Sequence, residues 1–182
     1  MLKQTVAPRV YVACLAAYNN GWLHGKWIDA AQDFDTFRDE INEMLKDSPV
    51  TKEYGEIAEE WAIHDFEGFG SYRVEEWSDL EEICNIANLI NEENGELILE
   101  LVAHLGSGTS IEDAKEFLEN NYQGIHKDLG EYAEYITEEC GAEIPKHLQY
   151  YINWDQMGRD MDLNGEIFTI ELDDGMHVFF NN

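Results

Sequence analysis

The chain has 182 residues and a formal net charge of −28, from 39 Asp and Glu against 11 Lys and Arg. Its 44% hydrophobic and 12% aromatic content excludes an acidic disordered chain, which would lack the apolar surface to offset chain entropy. The charge excludes direct nucleic-acid binding, since no basic patch is there to release counterions, and it far exceeds the roughly 2 to 8 charges that keep a small domain soluble.

The start MLKQTVAPRV has no apolar leader core, and no later apolar run approaches the ~20 residues of a membrane span, so a soluble, cytoplasmic protein is expected. Arg9–Tyr18 reads as a buried strand, β-branched and aromatic at its start. Asn19-Asn20-Gly21 is a turn signal, and Trp22–Ile28 can supply the returning strand. Phe34, Phe37, Ile41 and Leu45 recur at helical spacing, with Asp33 or Asp35 as N-cap. Trp61–Phe66 is a short strand. Ser78 and Glu81 suggest a capping box for a helix carrying Leu80, Ile83, Ile86, Ala87 and Ile90. Asn94–Leu105 is the next helix, with Gly106 just past its end.

Ser110 with Asp113 opens a helix bearing Ala114, Phe117 and Leu118. Asn120–Lys127 reads as a loop. Asp128 with Glu131 opens a helix through Leu129, Tyr132 and Ile136 that Gly141 ends, and Pro145 is placed at the first position of a helix through Leu148, Tyr151 and Ile152. Glu166–Leu172, Asp173-Asp174-Gly175 and Met176–Phe180 form a hairpin. The fold class is α+β: a strand-containing unit at each end of a helical middle, divided as 1–70, 71–108 and 109–182.

Cys14, Cys84 and Cys140 are far apart, odd in number and without metal-ligand spacing, so they are expected to be buried reduced thiols. Asp160-Met161-Asp162-Leu163-Asn164-Gly165, with Glu171 further on, matches the calcium-loop pattern. An entering helix fits, but Ile167 and Thr169 prefer strand and Asp173-Asp174-Gly175 leaves no exiting helix, so a helix-to-strand turn is expected and no metal or other cofactor. Catalysis finds no support. The histidines show no HExxH, no nucleophile elbow or phosphate loop is present, and Gly106-Ser107-Gly108 lacks the strand and Lys of a phosphate loop. His64 and His104 read as core or surface residues.

The acids are not a tail. From Glu53 to Glu143, 25 acidic residues face only Arg73, Lys115 and Lys127, a net −22, and they are interleaved with Trp61, Phe66, Tyr72, Trp77, Leu97, Leu101 and Phe117. Glu92, Glu96 and Glu100 stand at i, i+4 and i+8, and Glu112, Glu116, Glu119 and Glu131, Glu134, Glu138 make similar rows. Like charges at this spacing destabilise a helix by a few tenths of a kcal/mol per pair, and ordinary helices intersperse Lys instead. Solubility or adaptation to high salt would explain charge but not its placement. Duplex DNA carries one charge per ~1.7 Å of axis, so 28 charges match at most ~48 Å of duplex, longer than the ~41 Å diameter of a compact chain of this length. Adjacent acidic rows on an elongated body or a dimer could therefore imitate nucleic acid.

Three segments carry a resemblance: VYVACLAAYNNGWLHGKWID from Val10, EEWAIHDFEGF from Glu59, and IPKHLQYYINWDQMGRDMDLNGEIFTI from Ile144. Together they resemble the ArdA antirestriction proteins, in collinear order from about Val10 to Phe180. The resemblance implies an elongated, curved α+β protein of three small domains, usually a homodimer and without catalytic residues. Its acidic groups would imitate the phosphates of bent DNA and block the DNA site of type I restriction–modification enzymes, formed by the specificity and methyltransferase subunits. What carries over is the acidic surface: Glu75, Glu76, Asp79, Glu81, Glu82, Glu92, Glu93, Glu96, Glu100, Glu112, Asp113, Glu116, Glu119, Glu131, Glu134, Glu138 and Glu139. Pro49–Tyr54 and Asn120–Lys127 look variable, and Asn164 departs from the pattern. The alternative is a DNA mimic directed at another DNA-binding protein, such as a nucleoid or repair protein.

Overall fold

A computed structural model describes residues 6–106, 108–141 and 143–181. Residues 1–5 of the N-terminal segment and Ser107 of the Gly106-Ser107-Gly108 turn lie outside the described residues. The fold is α+β, with two three-stranded antiparallel sheets. The chain divides between Glu96 and Leu97 into two compact units.

In the N-terminal unit the central strand is β1 (Arg9–Cys14), flanked by β2 (Gly25–Asp29) and β3 (Trp61–Glu67). Val10 and Val12 point into the core while Tyr11 between them is half-buried, the two-residue alternation of a sheet with one covered face. The strand expected to reach Tyr18 stops at Cys14, and α1 (Leu15–Asn19) follows. Leu15-Ala16-Ala17 has no β-branch and good helix propensity, and Ala17 buries itself in the turn. Gly21 then takes a left-handed φ of 78°, as the turn signal required.

Helix α2 (Phe34–Lys46) buries Phe37, Ile41, Met44 and Leu45, and Asp33 caps it by accepting from Thr36 N–H. α3 (Pro49–Tyr54) is capped by buried Ser48. α4 (Leu80–Ile90) buries Ile83, Cys84, Ile86, Ala87 and Leu89. Its cap is Asp79, not Ser78: Asp79 accepts from Glu82 N–H, whereas the Ser78 hydroxyl accepts from Glu75 N–H in the preceding turn. α5 (Gly95–Leu105) begins at a glycine whose missing Cβ matters, since a Cβ there would stand 1.8 Å from the Leu89 carbonyl oxygen.

Most of α5 belongs to the C-terminal unit, where α6 (Ile111–Asn121) follows with a complete Ser110–Asp113 capping box. The expected loop after it is instead a strand, β4 (Tyr122–His126), paired with β6 (Gly175–Phe180), which in turn pairs with β5 (Ile167–Leu172). A bulge between Tyr122 and Gly124 interrupts the pairing there, with Gly124 at φ 100°, which hides the two-residue pattern in sequence. α7 (Leu129–Glu139) is capped by Asp128.

Pro145 sits at the cap of α8 (Lys146–Gln149) rather than inside it. That helix ends before Tyr151 and Ile152, because it buries no residue that would hold a longer one. α9 (Trp154–Leu163) leads through Gly165 into β5, so Asp160 and Asp162 stand on a helix and Glu171 on a strand. Tyr132, Ile167, Met176 and Val178 form one core cluster, with Leu129, Ile136, Met161 and Phe180 packed against it. Phe168 stacks between His104 at 4.0 Å and Phe179 at 5.0 Å, and Phe117 leans on both phenylalanines. Cys14 and Cys84 are buried free thiols, but Cys140 is exposed, because it follows the last turn of α7 beyond the packed face.

Candidate functional site

The acidic helices are oriented by their own caps and apolar stripes. Asp79, Asp113 and Asp128 each take a backbone N–H at a helix start, which fixes where the following glutamates point. Hydrogen bonds from Ser110 hold the Asp113 carboxyl below its ordinary range. On α6, Ala114 and Asn121 are buried with Phe117 and Leu118 half-buried, so Glu112, Glu116 and Glu119 take the open face. On α7, Tyr132 and Ala133 go inward and leave Glu131, Glu134, Glu138 and Glu139 outside. Glu131 also reaches back to accept from Lys127 N–H at 2.6 Å.

The third row differs from its sequence pattern. Glu92 and Glu93 precede Gly95 and are not part of α5, so only Glu96 and Glu100 share that helix. Glu75 and Glu76 lie in the turn before α4, and Glu81 and Glu82 in its first turn. Glu82 accepts the hydroxyl of half-buried Tyr72, whose pKa burial and this carboxylate push up to about 12. Every one of the acidic positions expected from the sequence is exposed except Glu100, which is half-buried.

Cations are placed mostly elsewhere. Arg9 pairs with Glu67, Lys26 with Glu40, Arg38 with Asp35 and Lys52 with Asp47, all on the N-terminal unit outside the acidic helices. Those acids are compensated: Lys26 first, then Gln32, hold the Glu40 carboxyl low, and Lys52 does the same for Asp47. Within the acidic stretch, Arg73 meets Glu75 at 3.2 Å and Lys127 meets Asp128 at 3.8 Å. Lys115 lies on α6 itself among Glu112, Glu116 and Glu119 and is engaged, whereas α7 carries Glu131, Glu134, Glu138 and Glu139 with no basic residue in the helix, and like-charge repulsion there is a cost to helix stability.

Among the described residues no group of three or more His, Cys, Asp and Glu is placed to hold a metal ion, and no helix is long and apolar enough to cross a membrane. His64 is exposed with its ring edge-on to Tyr18, and His104 stacks on Phe168. Sequence reasoning missed one cluster, a cleft lined by Leu15, Glu59, Glu60, Trp61 and Trp77. A signal was present, since Trp61 and Trp77 each follow a Glu-Glu pair.

No curated protein gives a significant match to the chain. The family model described as antirestriction protein (ArdA) matches residues 10–175, nearly the whole sequence and all of the acidic helices. The chain therefore belongs to the ArdA family of antirestriction proteins.

Proposed function

We propose that this antirestriction protein acts as a DNA mimic. It occupies the DNA-binding groove of a type I restriction–modification enzyme, contacting the specificity and methyltransferase subunits, and blocks restriction and modification by competition rather than by catalysis. The observation that supports this reading best is the open faces of α6 and α7, where Glu112, Glu116, Glu119, Glu131, Glu134 and Glu138 are all exposed. A solvated helix gains from interspersed Lys; a surrogate for phosphates does not. The three-part organisation and the homodimer implied by the family belong to the same proposal.

Binding to the enzyme's basic groove releases counterions held by the polyanion, so the affinities of the mimic and of duplex DNA both depend on salt. A gel-shift competition tests it. The protein is expected to displace target-length duplex from a type I enzyme at low salt, and its own direct binding to the enzyme should weaken steeply as salt rises. Absence of displacement at low salt overturns the reading. Capture of a nucleoid or repair protein from a bacterial lysate, with no type I subunit retained, would redirect the mimicry to that partner.

A further inference from the structure

The cleft of about 360 Å³ lined by Leu15, Glu59, Glu60, Trp61 and Trp77 lies within the N-terminal unit. Trp77 is 64% exposed, an unusual position for an indole that could bury a large apolar face. The walls are fixed by backbone. Leu15 N–H donates to the Glu60 carbonyl at 3.0 Å, and Cys14 pairs with Trp61 across β1 and β3. On the other side Ile63 N–H donates to the Glu76 carbonyl at 3.2 Å, tying the segment before Trp77 to β3. The turn carrying Trp77 is closed by Ser78 N–H on the Glu75 carbonyl at 3.2 Å and by Glu75 N–H on the Ser78 hydroxyl at 2.8 Å.

Two tryptophans and two glutamates lining one cleft suit a cation in chemical terms. Tryptophan faces attract cations more strongly than other rings, and carboxylates accept from guanidinium in a two-pronged geometry. None of the lining residues is basic, and the nearby Arg73 is engaged with Glu75. We propose that this cleft receives one arginine side chain of the basic protein partner, an inference that rests on the DNA-mimic reading for its partner. Arginine fits better than lysine because its planar, weakly hydrated head can stack on an indole while bonding a carboxylate. Spread carboxylate rows supply a diffuse field, whereas a preorganised tryptophan pocket supplies a point anchor of the kind that dominates protein interfaces.

Titration of the isolated protein with N-acetyl-arginine amide, followed at the indole N–H resonances of Trp61 and Trp77, reads the cleft without any enzyme. Saturable shifts of both resonances are expected, with apparent affinity at least threefold tighter than for N-acetyl-norleucine amide or N-acetyl-lysine amide. Affinity should fall at least threefold in the Glu59→Gln, Glu60→Gln double variant, and the response should vanish in Trp77→Leu. An equal response to norleucine amide overturns the cation site, an equal response to lysine amide overturns the assignment of arginine, and unchanged affinity in the glutamine variant overturns the role of the carboxylates. In the gel-shift competition, folded Trp77→Leu and the glutamine variant should each displace DNA at least fivefold less effectively. Native protein that displaces DNA no better than these variants do sinks the pocket alone. Native protein that displaces none sinks the DNA-mimic reading, and the amide titration still decides the pocket.

Discussion

Tyr122 and Tyr132 place similar hydroxyls in opposite circumstances. The Tyr122 hydroxyl lies 2.8 Å from His177 Nδ1, and His177 Nε2 lies 2.8 Å from an Asp174 carboxylate oxygen. A carboxylate only accepts, so Nε2 carries a proton, and in the neutral ring Nδ1 accepts from Tyr122. His177 is only 3% exposed, so Tyr122→Phe leaves a buried ring nitrogen unmet and should cost about 1 to 3 kcal/mol. Tyr132 is fully buried, its hydroxyl finds no partner among the described residues, and burial pushes its pKa up to about 12. Tyr132→Phe removes that unmet group and should be neutral or stabilising by up to about 1 kcal/mol. Urea denaturation of the two variants checks both signs. Asp174 adds a pH dependence. The bond from His177 holds its carboxyl below 3.8, so its contribution is complete above the unfolded value and is lost as pH falls through the folded one. The side chain is 60% exposed, which limits Asp174→Asn to a few tenths of a kcal/mol near neutrality. The difference from the native protein should close below about pH 3.8 in acid denaturation.

Helices α7 and α9 meet backbone to backbone, and glycine makes this possible. A Cβ on Gly158 would stand 2.2 Å from the Leu129 carbonyl oxygen, and one on Gly130 would stand 2.4 Å from an Asp155 carboxylate oxygen. Gly158→Ala would gain about 1 kcal/mol of helix propensity, yet the clash is with main chain that cannot swing away. Overpacking should win, with a net loss of about 1 to 3 kcal/mol and a lower thermal midpoint. At the level of elements, most of the acidic surface could be read in advance, because Ser110, Asp113 and Asp128 announce helix starts and the apolar spacing then dictates which glutamates face out. Ser78 misled by one residue, since adjacent Ser and Asp are equally good caps and only the turn to Glu75 decides between them. β4 was hidden by the Gly124 bulge, and α1 by an apolar run that suits either a buried strand or a buried helix. For the tryptophan cleft the paired Glu-Glu-Trp segments were visible in sequence, but their meeting was not: it depends on a long-range link, the hydrogen bond of Ile63 to Glu76 that ties the turn to β3.

Across the whole molecule, a charge of −28 pulls folding and binding in opposite directions. Self-repulsion weakens the compact state, while under the proposed DNA mimicry the same field would raise affinity for a basic groove. Glu116 and Glu119 share one face of α6, as do Glu134 and Glu138 on α7, and Glu119 and Glu138 fall in the last turns, where the helix dipole also disfavours negative charge. Changing all four to Gln removes these penalties without touching a cap or a buried residue. The quadruple variant should be more stable by roughly 0.5 to 1.5 kcal/mol at low salt, summed from a few tenths per unfavourable contact. It should also compete less well for a type I enzyme. Both differences should shrink together as salt shortens the screening length from about 30 Å at 0.01 M to about 10 Å at 0.1 M. A protein adapted to high salt would need molar salt to reach full stability, whereas here most of the gain should come below about 0.15 M. Thermal melts and gel-shift competition over the same salt series therefore separate the two origins of acidity. A variant that gains stability while keeping full competitive strength would show that these four carboxylates are not what the partner reads.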